Sequence, residues 1–154
     1  MDWSIEEAFD RSGAEHMSRD EALARELLAD PLRPSILRLY SWQPHAVSLG
    51  YQQSTDAVDS VACAKHGIDV VRRPTGGRAV LHANELTYAV IMRLDGGIYR
   101  THNVIVEALL RSFELLGARL DLTSRNSDTN FRNTYAAGTL TNAACFASRT
   151  TTIK

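Results

Sequence analysis

The hydrophobic positions of this chain change period several times, and each change predicts an element. Trp3, Ile5 and Phe9 stand at odd positions over residues 3–9, a strand pattern that Glu7 breaks. Over 13–29 the spacing is helical, through Met17, Leu23, Ala24, Leu27 and Leu28, and Pro31 and Pro34 close the segment. Ser18 and Glu21 fit a capping box, which would start that helix late. With that start, Asp20 and Glu21 are first-turn carboxylates favoured by the helix dipole rather than catalytic groups. Residues 35–42 read as a strand, with Ile36, Leu37, Leu39 and Tyr40 half or fully buried. Trp42-Gln43-Pro44 is a turn, and 46–51 is a second strand that ends at Gly50.

A helical pattern returns over 56–67, through Val58, Val61, Ala62 and Lys65, with Gly67 as the stop and Cys63 as a small packing residue. Ile68 to Val71 then lead into a second strand-rich region, which ends in the run Leu86 to Ile91. Asp95-Gly96-Gly97 is a turn. Asn103 is the expected N-cap of a helix over 104–116, striped by Ile105, Leu109, Phe113 and Leu116 and stopped by Gly117. A short strand over 118–122 is expected next. Residues 123–141, rich in Ser, Thr, Asn, Asp and Arg, carry no period and read as a long loop. Apolar character returns at Ala143-Ala144-Cys145-Phe146. Strands outnumber helices without a strict βαβ alternation. The expected class is therefore α+β (mixed α/β), a mainly antiparallel sheet with helices packed on it.

The stretch that organises the rest is Val70-Val71-Arg72-Arg73-Pro74-Thr75-Gly76-Gly77-Arg78-Ala79-Val80-Leu81-His82. It reads as strand, tight turn, strand, with cations on both sides. Pro74 pushes Arg73 toward extended backbone. Gly76 and Gly77 permit positive φ and close approach. From residue types alone two readings stand side by side. One is an ordinary hairpin turn with solvated arginines. The other is a cradle of bare N–H groups and guanidinium for a carboxylate, a phosphate or a thioester carbonyl.

Composition narrows the partners. The chain has 154 residues, which suits one domain large enough to fold without a disulfide or metal staple. Its formal net charge of −1 gives no electrostatic case for nucleic acid or an anionic membrane. Cys63 and Cys145 make no disulfide framework, which suggests a reducing cytoplasm. The acidic start Met1-Asp2-Trp3-Ser4-Ile5-Glu6-Glu7 has no signal-peptide core, and no apolar run approaches the roughly 20 residues of a membrane span.

Arg72 to His82 closely resembles the signature of the biotin/lipoate protein ligase superfamily, and within it the lipoate-protein ligase A family. That family includes ATP-dependent lipoate ligases and cysteine-dependent octanoyltransferases. The helix around Met17 to Leu28, Leu39 to Pro44 with Ser48 to Tyr51, and Ala144-Cys145-Phe146 resemble it in the same order. The resemblance implies a class II synthetase/biotin-protein-ligase-like fold, with residues 1–154 as a single catalytic domain. It would start the first helix nearer Ala14 and place Trp42 and Tyr51 beside an acyl chain. Family members are longer, with a lysine motif downstream of the Cys145 region. Neither Lys65 nor Lys154 matches that lysine, and the expectation is a C-terminally incomplete domain.

Three features resemble the transferases more than the ligases. Arg78 stands where ligases more often carry a third glycine. His82-Ala83-Asn84-Glu85-Leu86-Thr87-Tyr88 follows the octanoyltransferase pattern, although Ala83 replaces a commonly acidic residue. Ala144-Cys145-Phe146 resembles the nucleophile segment. The resemblance thus implies Cys145 as nucleophile and His82 as a base or hydrogen-bond partner in the pocket. Arg72, Arg73, Thr75, Gly76, Gly77, Arg78 and Tyr51 would form the substrate site, with no metal. The acyl group would be octanoyl or lipoyl, the donor an acyl carrier protein, and the acceptor a lysine of a lipoyl-domain protein, glycine cleavage H protein or 2-oxoacid dehydrogenase E2. No cofactor is required on this reading, and ATP with Mg enters only for a ligase. A lipoate ligase, a non-catalytic acyl-binding relative and, further off, a biotin ligase are the alternatives. Read from the residues alone, Cys145 is a buried small hydrophobe before it is a nucleophile.

Overall fold

The computed structural model describes residues 2–93, 96–118 and 120. Among them run β1 (Trp3–Arg11), α1 (Gly13–Ala29), β2 (Ser35–Trp42), β3 (Ala46–Leu49), a 3-10 turn (Thr55–Ala57), α2 (Ser60–Lys65), β4 (Asp69–Arg72), β5 (Val80–His82), β6 (Thr87–Ile91) and α3 (Ile98–Leu115). The α+β class holds. The strands form two three-stranded sheets, β1-β2-β6 and β4-β3-β5. Each sheet joins one parallel pair to one antiparallel pair, so the pairing is evenly mixed rather than mainly antiparallel. The parallel pairs arise because helices α1 and α2 carry the chain back between β1 and β2 and between β3 and β4.

Helix α1 begins at Gly13 because the earlier of two S-x-x-E patterns supplies the cap. Ser12 Oγ accepts from the Glu15 N–H at 3.3 Å, and Glu15 Oε2 accepts from the Ser12 N–H at 2.9 Å. The expected box at Ser18 and Glu21 therefore lies inside the helix. There Asp20 turns inward, and Glu21 pairs on the surface with Arg25. Leu23 and Leu27 bury the inner face of α1, each contributing about 1.5–3 kcal/mol. Met17 joins Tyr40, Trp42 and Ala46 in a core that also takes in Ala8, Val71 and Ala89, which draws both sheets onto one helix. A second core, Val47, Leu49 and Ala79 with Cys63 and Ile68, lies on the opposite face of β3 under α2. Cys63 packs there as its spacing implied.

Two element boundaries differ from the sequence pattern. The expected helix over 56–67 is split, because Val58 is extended and Asp59 caps a fresh helix by accepting from the Ala62 N–H at 2.9 Å. Helix α3 starts at Ile98, well before Asn103, with Gly97 at φ 90° in the N-cap position. Its end agrees with expectation: Gly117 has φ 81°, and the Gly117 and Ala118 N–H groups return to Glu114 and Phe113. Cys145, the loop over 123–141 and most of the short strand expected over 118–122 lie outside the described residues.

Candidate active site

The arginine-glycine stretch is not a hairpin. β4 and β5 do not pair with each other; they flank β3, and the loop between them crosses the end of that strand. The crossing is tight, since a Cβ on Gly50 would lie 2.0 Å from the Gly77 carbonyl oxygen. Gly77 has φ 97°, the left-handed region that suits glycine, whereas Gly76 needs no such conformation. The Tyr51 N–H donates to the Thr75 carbonyl at 2.9 Å, and the Arg73 N–H to the Leu49 carbonyl at 3.0 Å.

Both arginines fasten this crossing. Arg72 Nη1 donates to the carbonyls of Gly50, Tyr51 and Gln53 at 2.8, 3.1 and 2.6 Å. Arg73 Nη2 donates to the carbonyls of Gly76 and Arg78 at 2.9 and 2.6 Å, and Nη1 to the Ser48 carbonyl at 2.9 Å. Their charge thus sits beside the glycine loop while their planar forks hold its shape.

Beside the loop opens a cleft of about 880 Å³, a size suited to a small organic ligand. Met17, Tyr40, Trp42, Val80, Ile91 and Ile105 give it apolar walls, while Ser48, Arg73, Thr75, His82 and Thr87 bring polar groups to it. Such a lining fits an apolar chain with a polar head. The antiparallel register of β3 and β5 sets Ala46 opposite His82 and Ser48 opposite Val80, which puts all four on one face. His82 is buried and stacked on Trp42, with ring centroids 4.0 Å apart and planes 11° from parallel. Its Nε2 lies 2.8 Å from Ser48 Oγ and its Nδ1 2.5 Å from Glu85 Oε1, so both ring nitrogens have protein partners.

A buried charge cluster lies behind this wall. Arg38 is only 1% exposed. It bonds Glu6 at 3.0 Å, ion-pairs with Asp20, and sits 4.9 Å from the Tyr40 ring centroid. The hydrogen bond from Arg19 lowers the Glu6 pKa below the ordinary carboxylate value, whereas burial raises that of Asp20 despite Arg38. Burial also raises Tyr40 and lowers His16, whose Nε2–H donates to the Ser41 carbonyl at 2.9 Å.

Of the expected site residues, the structure brings Arg73, Thr75 and His82 to the cleft. Gly76, Gly77, Arg78 and Tyr51 line a shallower depression on the outer side of the loop, where Tyr51 is 63% exposed. Arg72 ties the loop from behind, and Cys145 lies outside the described residues. Ser48, Glu85 and Thr87 were not singled out from sequence. A carboxylate three residues after His82, across a turn, was the available signal for Glu85. Among the described residues no three His, Cys, Asp or Glu side chains converge as metal ligands would.

Solved structures give the class first. The fold is similar to a Thermoplasma acidophilum protein described as a lipoate protein ligase with bound lipoic acid, at TM-score 0.68 and 28% identity over 82% of this chain and 54% of that one. It is also similar to a lipoate-protein ligase A bound with ATP, at TM-score 0.68 and 28% identity over 77% and 49%. An archaeal bipartite lipoate protein ligase, studied with its E2 lipoyl domain, gives 0.70 and 27% over 80% and 49%. The architecture is thus that of the lipoate-protein ligases. The chain belongs to the lipoyl protein ligase A/B catalytic domain family, whose pattern matches residues 12–133. Its curated relatives include octanoyltransferases LipM. That of Exiguobacterium sp. is 42% identical over 121 residues, 75% of this chain and 44% of that protein. That of Carboxydothermus hydrogenoformans is 44% identical over 112 residues, 69% and 41%. The chain spans about half the length of the curated relatives it matches.

Proposed function

We propose that this chain carries the acyl site of an octanoyltransferase acting in protein lipoylation. The observation that carries the reading is that the family match over residues 12–133 encloses every described residue lining the cleft, in a chain 42–44% identical to LipM octanoyltransferases. The apolar walls take the acyl chain, and the head group lies toward Arg73, Thr75 and Ser48. Cys145 is the nucleophile. Its thiolate attacks the octanoyl thioester of an acyl carrier protein, the carrier's thiol leaves, and an acyl-Cys145 thioester remains. The amine of an acceptor lysine on a lipoyl domain then attacks that thioester, releases the Cys145 thiolate and loses a proton to form the amide. His82, with both nitrogens engaged, acts in holding the pocket. This chemistry needs no cofactor, and the setting is the cytoplasm.

The test is intact mass after incubation with octanoyl-acyl carrier protein, beside Cys145→Ala. A hydroxylamine-labile octanoyl adduct on the wild type alone is expected. No adduct, with acyl transfer that depends on ATP, would replace this reading by an ATP-dependent lipoate ligase, which the likeness to ligase structures favours. Binding of an octanoyl ligand with no transfer under either condition would mark an acyl-binding relative.

A further inference from the structure

Glu85 holds a place in the site that octanoyl transfer leaves unassigned. Arg73 can only donate hydrogen bonds and a carboxylate can only accept them, which for a neutral His82 ring fixes the directions between them. Arg73 Nη1 donates to Ser48 Oγ at 3.1 Å, and with the His82 ring proton on Nδ1 the Ser48 hydroxyl donates to His82 Nε2 at 2.8 Å. That ring proton points at Glu85 Oε1, 2.5 Å from Nδ1. From the other side Trp42 Nε1–H donates to Thr87 Oγ1 at 2.8 Å, and the Thr87 hydroxyl donates to the same Oε1 at 2.8 Å. One carboxylate oxygen thus ends both chains and pins the edges of both rings of the Trp42–His82 stack.

Ser48, His82 and Glu85 stand in the order of a hydrolytic triad, but Ser48 is 1% exposed and its oxygen already accepts from Arg73. The arrangement therefore serves geometry rather than attack. Trp42, Thr87, His82, Ser48 and Arg73 all line the cleft, and Glu85 stands behind them with its side chain 36% exposed. We propose that Glu85 is a positioning residue of the acyl site: it sets the His82 tautomer, holds the Trp42–His82 stack as a fixed wall, and through Ser48 and Arg73 couples that wall to the glycine loop. The assignment of this wall to an octanoyl chain rests on the function proposed above. The tautomer and the stack do not.

The test has two arms. In the resting protein, nitrogen-15 NMR reads the His82 tautomer and the water exchange of the Trp42 indole N–H, with the 44%-exposed Trp3 as internal reference. Glu85→Ala should mix the two tautomers and speed Trp42 exchange about tenfold or more, whereas Glu85→Gln, which keeps an acceptor oxygen, should recover most of both. Thr87→Val cuts only the Trp42 branch and should speed that exchange with the tautomer unchanged, which keeps the proposal testable if Glu85→Ala folds poorly. In transfer assays with octanoyl-acyl carrier protein, Glu85→Ala should raise KM about tenfold with a smaller change in kcat, as expected when binding common to ground and transition states is lost. An unchanged tautomer and unchanged Trp42 exchange in Glu85→Ala overturn the proposal, as does a collapse of kcat at constant KM. A wild type without transfer overturns the octanoyl reading instead, and the NMR arm then decides the role of Glu85 by itself.

Discussion

Gly50 and Gly77 meet backbone to backbone: the Gly77 carbonyl oxygen occupies the space a Gly50 side chain would need, 2.0 Å from an ideal Cβ. The neighbour is main chain, so it cannot rotate away. Gly50→Ala should therefore displace the loop that carries Thr75 to the cleft, at a cost of about 1–3 kcal/mol of the kind seen on overpacking. Chemical denaturation should show a lower midpoint at unchanged m. A wild-type midpoint would mean the loop can lift off β3 freely, and the close approach would then have no structural weight.

Arg73 closes the same crossing with a planar fork. Arg73→Lys keeps the charge but cannot reach Ser48 and both loop carbonyls, Gly76 and Arg78, in one plane. A loss of about 1.5–3 kcal/mol is expected. The Tyr51 N–H, bonded to the Thr75 carbonyl, should exchange faster with solvent than in the wild type. Equal exchange in the two proteins would show that backbone contacts alone hold the loop.

How much of this was legible beforehand follows from which forces are local. Residues 13–29 and 35–42 show their period in the chain itself, and both elements fall where the pattern puts them. The helix start was ambiguous because Ser12-x-x-Glu15 and Ser18-x-x-Glu21 are the same signal, and the structure forms the capping box at the earlier one. The arginine-glycine stretch looked like a hairpin because β4 and β5 are neighbours in sequence. That β3 inserts between them is a long-range pairing that no turn signal encodes. His82 was legible from its motif. Its partners Ser48 and Trp42 were not, since the sheet register and the stack are set across distant strands.

Arg38 gives no periodic signal as a charged residue inside a strand, yet it is among the most buried side chains described. Its guanidinium is held by Glu6, Asp20 and the His16 carbonyl. Arg38→Met should cost about 3–5 kcal/mol, because it leaves Asp20 without its buried counter-charge, whereas Glu6 keeps its pair with Arg19. Adding Asp20→Asn to Arg38→Met should restore part of that loss, since the double variant no longer strands a carboxylate. Strict additivity of the two changes in thermal or urea unfolding would refute the coupling.

His16 should make stability depend on pH near neutrality. Its ring is fully buried, with Nε2–H bound to the Ser41 carbonyl and Nδ1 3.4 Å from Arg38 Nη2. A carbonyl cannot donate and a guanidinium cannot accept, so the neutral ring carries its proton on Nε2. A second proton would have to sit on Nδ1, facing the Arg38 charge. Burial first, opposed by the Ser41 bond and aided by Arg38, accordingly holds the folded pKa below the ordinary histidine value of about 6.5. The sign follows from linkage. Well above pH 6.5 the ring is neutral in both states and contributes no pH dependence. As the pH falls through that value the unfolded chain takes up the proton first, and stability declines until the folded pKa is reached. His16→Gln keeps a donor for Ser41 and cannot titrate. Its deficit relative to wild type should therefore shrink between about pH 8 and 6 in urea unfolding, a window above the range of ordinary carboxylates. A difference between the two proteins that stays constant across that window would show that His16 binds its second proton equally well folded and unfolded.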